Sequence, residues 1–419
     1  MEIFHNFGEI PNTMAKAIIH FDLDAFFVSC ERRVDSRLNN QPVIIGGTGN
    51  RGVVTAASYE ARKFGVHSAM NMKMARQLCP HAIYIRGNGH LYGKMSQEVT
   101  EILTQNLPIV EKASVDEFYA DLSGMDRFFG CYKFAKELRS KIIKETGLPI
   151  SFGLSINKTV SKVATGEAKP NNQINVADGY EKTFLAPLSI KKIPMVGNQT
   201  YKTFSLLGIR EVGLVQKMPL ERMISVFGKN GKIIWERCNG IDDSPIKPFH
   251  ERKSISSERT YGKDTFDQEM INTTILAMVE NLAFQLRRGN KLTSTISVKV
   301  RYSDFQTYSK QIQIKHTSAD HILIPTVKEL FEKLYDRRVL VRLVGVRFGG
   351  LVDGHYQIDM FEDTNKTVNL YKAMDKIRDK YGDHYVRRAA TLGKGSKTIG
   401  NQGNPFDGRP PVLLAHRHQ

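Results

Sequence analysis

The sequence predicts an α+β protein of several domains, and three observations carry that prediction. Between residues 17 and 155, short apolar runs alternate with segments of helical periodicity, the pattern of a sheet covered by helices. Residues 182–245 lose the strand-like runs and read as short helices broken by Gly197, Gly208, Gly213, Gly228, Gly231 and Gly240. After a polar, basic stretch the strand pattern returns: Ile296, Val298, Val300 and Tyr302 alternate with Thr295, Ser297, Lys299 and Arg301, an apolar face against a basic and polar one. A chain of 419 residues has room for such a division.

In order, residues 1–16 read as an irregular N-terminal extension in which Met14 is a second candidate start beside Met1. The first unit spans 17–181. It holds a strand at 17–23 followed by a helix, apolar runs at 42–46 and 52–56, a helix from Ser58 and a long helix near 88–106. Strands around 109–121 come next, then a helix from Phe129 to Glu145, where Phe134, Leu138 and Ile142 recur every fourth residue, and a strand at 149–155. In the helical unit, Val196-Gly197 and Leu207-Gly208-Ile209 suggest a helix-hairpin-helix able to hold a DNA phosphate on turn amides; a plain helical module is the alternative. Residues 246–263 read as a linker. A second sheet unit spans 252–353, with a helix near 267–288, Ile312 and Ile314 alternating with Gln311, Gln313 and Lys315, and a strand from Val341 to Leu351. A C-terminal region, 354–390, precedes a tail, 391–419, whose Gly, Pro, Asn and basic residues read as disordered.

The formal net charge of +17 points to a polyanion, with nucleic acid ahead of an anionic membrane. No apolar stretch approaches a membrane span and no signal-peptide pattern precedes the first strand, so a cytoplasmic protein is expected. Cys30, Cys79, Cys131 and Cys238 lie far apart without Cys-x-x-Cys spacing, which indicates neither zinc nor a disulfide framework.

Two acidic pairs stand out, Asp22-Leu-Asp24 within Ala17–Phe27 and Asp116-Glu117 within Ser114–Asp121, each in or beside an apolar run. Carboxylates there are costly to desolvate unless they meet a cation. Period-two alternation puts Asp22 and Asp24 on one face if the strand reaches that far; if it ends near Asp22, Leu23 offers a backbone carbonyl instead. Should the second acidic strand pair beside the first, Asp22, Asp116 and Glu117 could supply oxygens to two hard cations, an arrangement for phosphoryl transfer. The plainer reading has Asp24 capping the next helix and the other acids as surface charges at turns.

Gly47-Thr-Gly-Asn-Arg-Gly52 fits a dinucleotide fingerprint, yet strand-like Val53-Val-Thr55 follows where a helix is required, so a glycine-rich β-turn is expected. Gly393-Lys-Gly-Ser-Lys-Thr398 lacks the glycine and strand of a phosphate loop. Tyr59 and Arg62, three apart on one helix face, could hold a triphosphate, against an ordinary surface helix. Lys169 by itself is an ordinary helix end.

Taken together and in this order, Phe21-Asp-Leu-Asp-Ala-Phe-Phe27, Thr55-Ala-Ala-Ser-Tyr-Glu-Ala-Arg-Lys-Phe-Gly-Val66, Ser114-Val-Asp-Glu117 and Gly153-Leu-Ser-Ile-Asn-Lys158 through Ala168-Lys-Pro170 resemble the Y-family DNA polymerases of the DNA polymerase IV type. The resemblance runs from about Ala17 to Leu351 and implies a right-hand polymerase: palm, small fingers from residues 25–90, a helical thumb and a DNA-gripping little finger. It implies two Mg2+ ions on Asp22, Asp116 and Glu117 with the Leu23 carbonyl as a further ligand. Tyr59, Arg62 and Lys169 would clamp the triphosphate of a deoxynucleotide lying against Phe26 and Phe27. Phe27 stands at the steric gate, whose ring leaves no room for a 2′-hydroxyl. The implied activity is template-directed addition to a primer 3′ end on primer-template DNA, by a monomer, with low fidelity and bypass of damaged bases.

Gln357-Ile-Asp-Met-Phe361 resembles the peptide by which bacterial polymerases bind the sliding clamp, with Gln357 setting register and Met360 and Phe361 entering a hydrophobic pocket. Met360 replaces the commoner leucine, Phe118 stands where the family often has a small residue, and Met195 where a glycine is common. Two other classes compete. A metal-dependent nuclease would use similar acids without needing Tyr59, Arg62 and Phe27, and a non-catalytic DNA- and clamp-binding protein would not need the acids.

Overall fold

The computed structural model describes residues 16–391 apart from 48, 50, 126–129, 249–250, 355–363 and 383–384. The N-terminal extension up to residue 15, the peptide 357–361, the segment 393–398 and the tail from 392 lie outside the described residues. The first unit runs β1 (Ile18–Leu23), α1 (Phe26–Val34), β2 (Val43–Gly46), β3 (Val54–Ala57), α2 (Tyr59–Arg62), α3 (Met72–Leu78), β4 (Ile83–Ile85), α4 (Gly89–Asn106), β5 (Val110–Lys112), β6 (Glu117–Asp121), α5 (Cys131–Thr146), β7 (Ile150–Ser155), α6 (Lys158–Ala168) and β8 (Gln173–Asn175).

Its main sheet has the order β5-β6-β1-β7-β8, with β1 antiparallel to both β6 and β7. β1 is short and almost wholly buried because both faces are covered. Ile19, Phe21 and Leu23 join the core built with Tyr92, Val99 and Leu103 of α4 and Leu138 and Ile142 of α5. Ile18, His20 and Asp22 fall on the other face by strand alternation, and α6 lies there. Ser161 Oγ of α6 donates to the Ile18 carbonyl at 2.6 Å and Thr165 Oγ1 to the His20 carbonyl at 2.9 Å. The close approach depends on Gly153 in β7, since a Cβ there would sit 2.2 Å from the Ser161 carbonyl oxygen and 2.6 Å from Thr165 N. Gly153→Ala is expected to cost about 1–3 kcal/mol by forcing helix and strand apart, read as a lower urea midpoint. A wild-type midpoint would refute the tight contact.

A smaller sheet, β3-β2-β4, carries α2 and α3 on its own core of Ile44, Val54, Ala57, Ala61 and Met72. Between β2 and β3, Gly52 N donates to the Gly49 carbonyl at 2.9 Å, in keeping with the turn its glycines predict. The helical unit comprises α7 (Glu181–Leu185), α8 (Asn198–Leu206), α9 (Val212–Gln216), α10 (Leu220–Phe227) and α11 (Lys229–Cys238) around Leu185, Ile190, Phe204, Val212, Met223 and Ile234. Met195 takes φ +76°, the left-handed conformation glycine accepts without strain, just before α8.

The C-terminal unit holds β9 (Ser254–Thr265), α12 (Gln268–Arg288), β10 (Lys291–Tyr302), β11 (Thr307–Thr317), α13 (Asp320–Glu332), β12 (Val341–Gly349), β13 (Val352–Asp353) and α14 (Thr364–Tyr381). Its sheet is antiparallel in the order β11-β10-β12-β9. Ile296, Val298, Val300 and Tyr302 are fully buried, as the alternation predicts. Two expectations need correction. The linker read over 246–263 becomes β9 from Ser254, an edge strand whose only buried side chains are Ile255 and Tyr261. Ile312 is 39% exposed, because β11 is the opposite edge. The region 354–390 contains α14, which docks through charge: Arg287 bridges Asp320 and Asp375, each at 2.6 Å, and Arg388 meets Glu280 at 3.1 Å.

Asp320 is fully buried, so Arg287→Ala would remove its close partner and leave its carboxylate the longer contact with Arg388 at 3.9 Å. We expect a loss of about 3–5 kcal/mol in the unfolding of this unit. Calorimetry showing an unshifted transition would contradict it.

Candidate active site

The sheet register brings the acids together. Asp22 and Glu117 are direct cross-strand partners, and Leu23 N donates to the Asp116 carbonyl at 3.0 Å. β1 ends at Leu23, so of the two readings for the first acidic pair the shorter strand holds, and Asp24 leaves the sheet's alternation. Asp22 therefore faces α6, and Asp116 and Glu117 start the neighbouring strand at the same end of the sheet.

Each acid is engaged. Asp22 Oδ1 lies 2.5 Å from Lys169 Nζ, and Glu117 Oε1 lies 2.5 Å from Lys162 Nζ. Asp116 Oδ1 accepts from Ser114 Oγ at 2.5 Å. Burial pushes the Asp22 carboxyl up to about 6, and the charges of Asp116 and Glu117 add to that while Lys169 opposes it. Burial raises Asp116 as well. Among the described residues no three His, Cys, Asp or Glu side chains gather around one point, because each carboxylate is turned to its own partner. Three carboxylates on adjoining rungs, two of them resisting ionisation, nevertheless make the all-oxygen donor set that suits a hard divalent cation.

Asp24 is not a helix cap. α1 has no side-chain cap, and its N-cap residue is Ala25 with φ 43°. Asp24 is 2% exposed and accepts from Ser151 Oγ at 2.8 Å, from Asn171 N at 2.7 Å and from Tyr59 OH at 3.4 Å. It joins α2 and the loop after α6 to the end of β1. Tyr59 and Arg62 do share a face: the guanidinium carbon sits 4.6 Å from the ring centroid, while Nε donates to the Ala57 carbonyl at 3.0 Å. Burial, reinforced by Asp24, pushes the Tyr59 phenol up to about 12, so it keeps its proton to donate.

Phe27 stacks on Tyr92 at 4.3 Å between centroids and 13° between planes, and Tyr92 is anchored by donating to Glu31 Oε1 at 2.5 Å. Phe26 is different. The residue is 3% exposed and its ring belongs to the core, which leaves its backbone at the start of α1 as the part able to meet a nucleotide.

The impB/mucB/samB family profile matches residues 21–166, and that family's C-terminal domain matches 252–360. DNA polymerase IV of Dehalococcoides mccartyi is 36% identical over 380 residues, covering 90% of this chain and 97% of that one. DNA polymerase IV of Streptococcus agalactiae is 36% identical over 353 residues, covering 83% and 97%. A solved Y-family DNA polymerase chimera superposes with a TM-score of 0.70 at 24% identity, covering 80% of this chain and 99% of that one.

The chain belongs to the Y-family of DNA polymerases. It is a DNA-directed DNA polymerase of the translesion class, and its units form a palm, thumb and little-finger architecture. No helix among the described residues of this Y-family polymerase is long and apolar enough to cross a membrane. Its sequence had not singled out Lys162, Ser114 or Ser151 as site residues. Lys162 carried one signal, a lysine two turns before Lys169 on a helix otherwise rich in small buried residues.

Proposed function

We propose that this polymerase adds deoxynucleotides to a primer 3′ end at Asp22, Asp116 and Glu117, which would hold two magnesium ions together with the Leu23 carbonyl. The observation that carries the proposal is the Asp22–Glu117 rung with Asp116 beside it. Bound there, magnesium supplies activation of the 3′-hydroxyl and neutralisation of the departing pyrophosphate. The protein's own part is to orient. Tyr59 donates its hydroxyl, Arg62 offers a planar guanidinium and Lys169 a point charge to the triphosphate. Asp24 keeps the first and last of these grips in register, because its carboxylate accepts from both Tyr59 and the Asn171 amide. The Phe27 ring sets the space beside the sugar.

The outward residues of the little-finger sheet, Lys299 and Arg301 among them, suit the DNA backbone. A monomer suffices, since one chain supplies every residue named. Primer extension with magnesium and deoxynucleotides tests the reading, and longer products are expected; shortened primers would mean a nuclease.

The second proposed partner is a sliding clamp, bound by Gln357, Met360 and Phe361, which rests on sequence resemblance alone. Deleting 357–361 is expected to remove clamp-stimulated synthesis and spare basal extension in a running-start assay. Equal stimulation of both proteins would sink it.

A further inference from the structure

Lys162 has no part in the reading above, yet it is placed as deliberately as Lys169. Lys162 lies within α6 and Lys169 is the residue that caps its C-terminus, seven residues on and roughly 10 Å along the axis at 1.5 Å per residue. Ser161 and Thr165 bond the helix to the β1 carbonyls, which fixes where both lysines start. Their ammonium groups reach the two carboxylates that face each other across the β1–β6 rung, Lys169 to Asp22 and Lys162 to Glu117. The Lys162–Glu117 pair is about a third exposed, a setting in which an ion pair adds little to stability.

We propose that Lys162 is a positioning residue that serves as the internal counterion of Glu117 and is released by the metal, its freed ammonium then taking a phosphate of the bound primer-template. This rests on the assignment of Asp22, Asp116 and Glu117 as metal ligands. One carboxylate cannot serve lysine and cation equally, so the incoming cation displaces Lys162. The displaced ammonium, left beside a cation, needs a new anion, and DNA phosphate is the anion the reaction brings. Metal loading and DNA binding therefore assist each other, and by linkage the gain is the same whichever comes first.

The experiment uses the full chain without nucleotide, so that nothing turns over. Free Mn2+ is followed by electron paramagnetic resonance, and affinity for a labelled primer-template by fluorescence anisotropy with and without Mn2+. Without DNA, Lys162→Gln should bind Mn2+ about fivefold more tightly, the size of a modest coupling, because the competitor is gone. The Mn2+-dependent gain in DNA affinity expected of the wild type should shrink by a similar factor, and Lys162→Arg should restore it. Unchanged Mn2+ affinity in Lys162→Gln, or an undiminished gain in DNA affinity, would overturn the proposal. Asp116→Asn separates the two layers. If it abolishes tight Mn2+ binding while Lys162→Gln changes nothing, only the Lys162 role falls; if Mn2+ binding survives Asp116→Asn, the metal assignment falls with it.

Discussion

Asp116→Ala is expected to leave a folded protein that, compared without divalent metal, binds primer-template DNA almost normally, and that with metal extends it about a thousandfold more slowly or worse. The rate loss follows from removing a ligand that would stabilise developing charge, worth several kcal/mol at about 1.4 kcal/mol per decade. The fold should survive because what Asp116 gives to the sheet is its backbone carbonyl, which accepts from Leu23 N at 3.0 Å and remains in alanine. The lost side-chain contact is the hydrogen bond from Ser114 Oγ, and that hydroxyl lies in a half-buried turn where water can replace it. DNA affinity should hold because the basic surfaces lie elsewhere on the chain. Single-turnover extension and anisotropy measure the two halves separately, and extension at the wild-type rate would end the metal-ligand assignment.

The second large effect is on sugar choice. Phe27→Ala should raise ribonucleotide incorporation relative to deoxynucleotide on the order of a hundredfold, since discrimination by fit changes by 10–200-fold for a single methylene and a whole ring is removed here. What makes the ring an effective barrier is its support. Phe27 lies nearly parallel on Tyr92, and Tyr92 is fully buried and tied to Glu31, so neither can swing aside cheaply. Truncating Phe27 therefore opens space above a fixed floor and does not invite a collapse. Competing single-nucleotide incorporations give the ratio, and an unchanged ratio would remove Phe27 from the gate.

The acids were legible because a charge inside an apolar run has few explanations, and a strand period of two then says which residues share a face. What that period could not say was where β1 stops, and this decided that Asp22 faces α6 while Asp24 does not. Asp24 resembled a cap because its hydrogen-bond donor Ser151 is 127 residues away in sequence. β9 escaped notice because an edge strand with two buried side chains has almost no apolar alternation to detect. Phe26 and Phe27 are adjacent and chemically identical, and only the packing of α1 shows that one belongs to the core and the other stacks at its margin. α14 was missed for a different reason: it is held by arginine–carboxylate pairs and by Tyr371, whose hydroxyl accepts from His321 N at 3.1 Å, and hydrophobic periodicity does not register such bonds.

That mode of attachment bears on how the protein is made. Asp375 follows Arg287 by 88 residues, an interval on the order of ten seconds at ribosomal speed. Over that interval β10, β11, α13 and β12 are added to the first long helix of the nascent little finger, while Glu280 still awaits Arg388 and the surface that will receive Tyr371 stands open. The domain thus passes through a vulnerable adolescence, closed only when the last helix leaves the ribosome. Translation pauses within that window should raise its demand for chaperones.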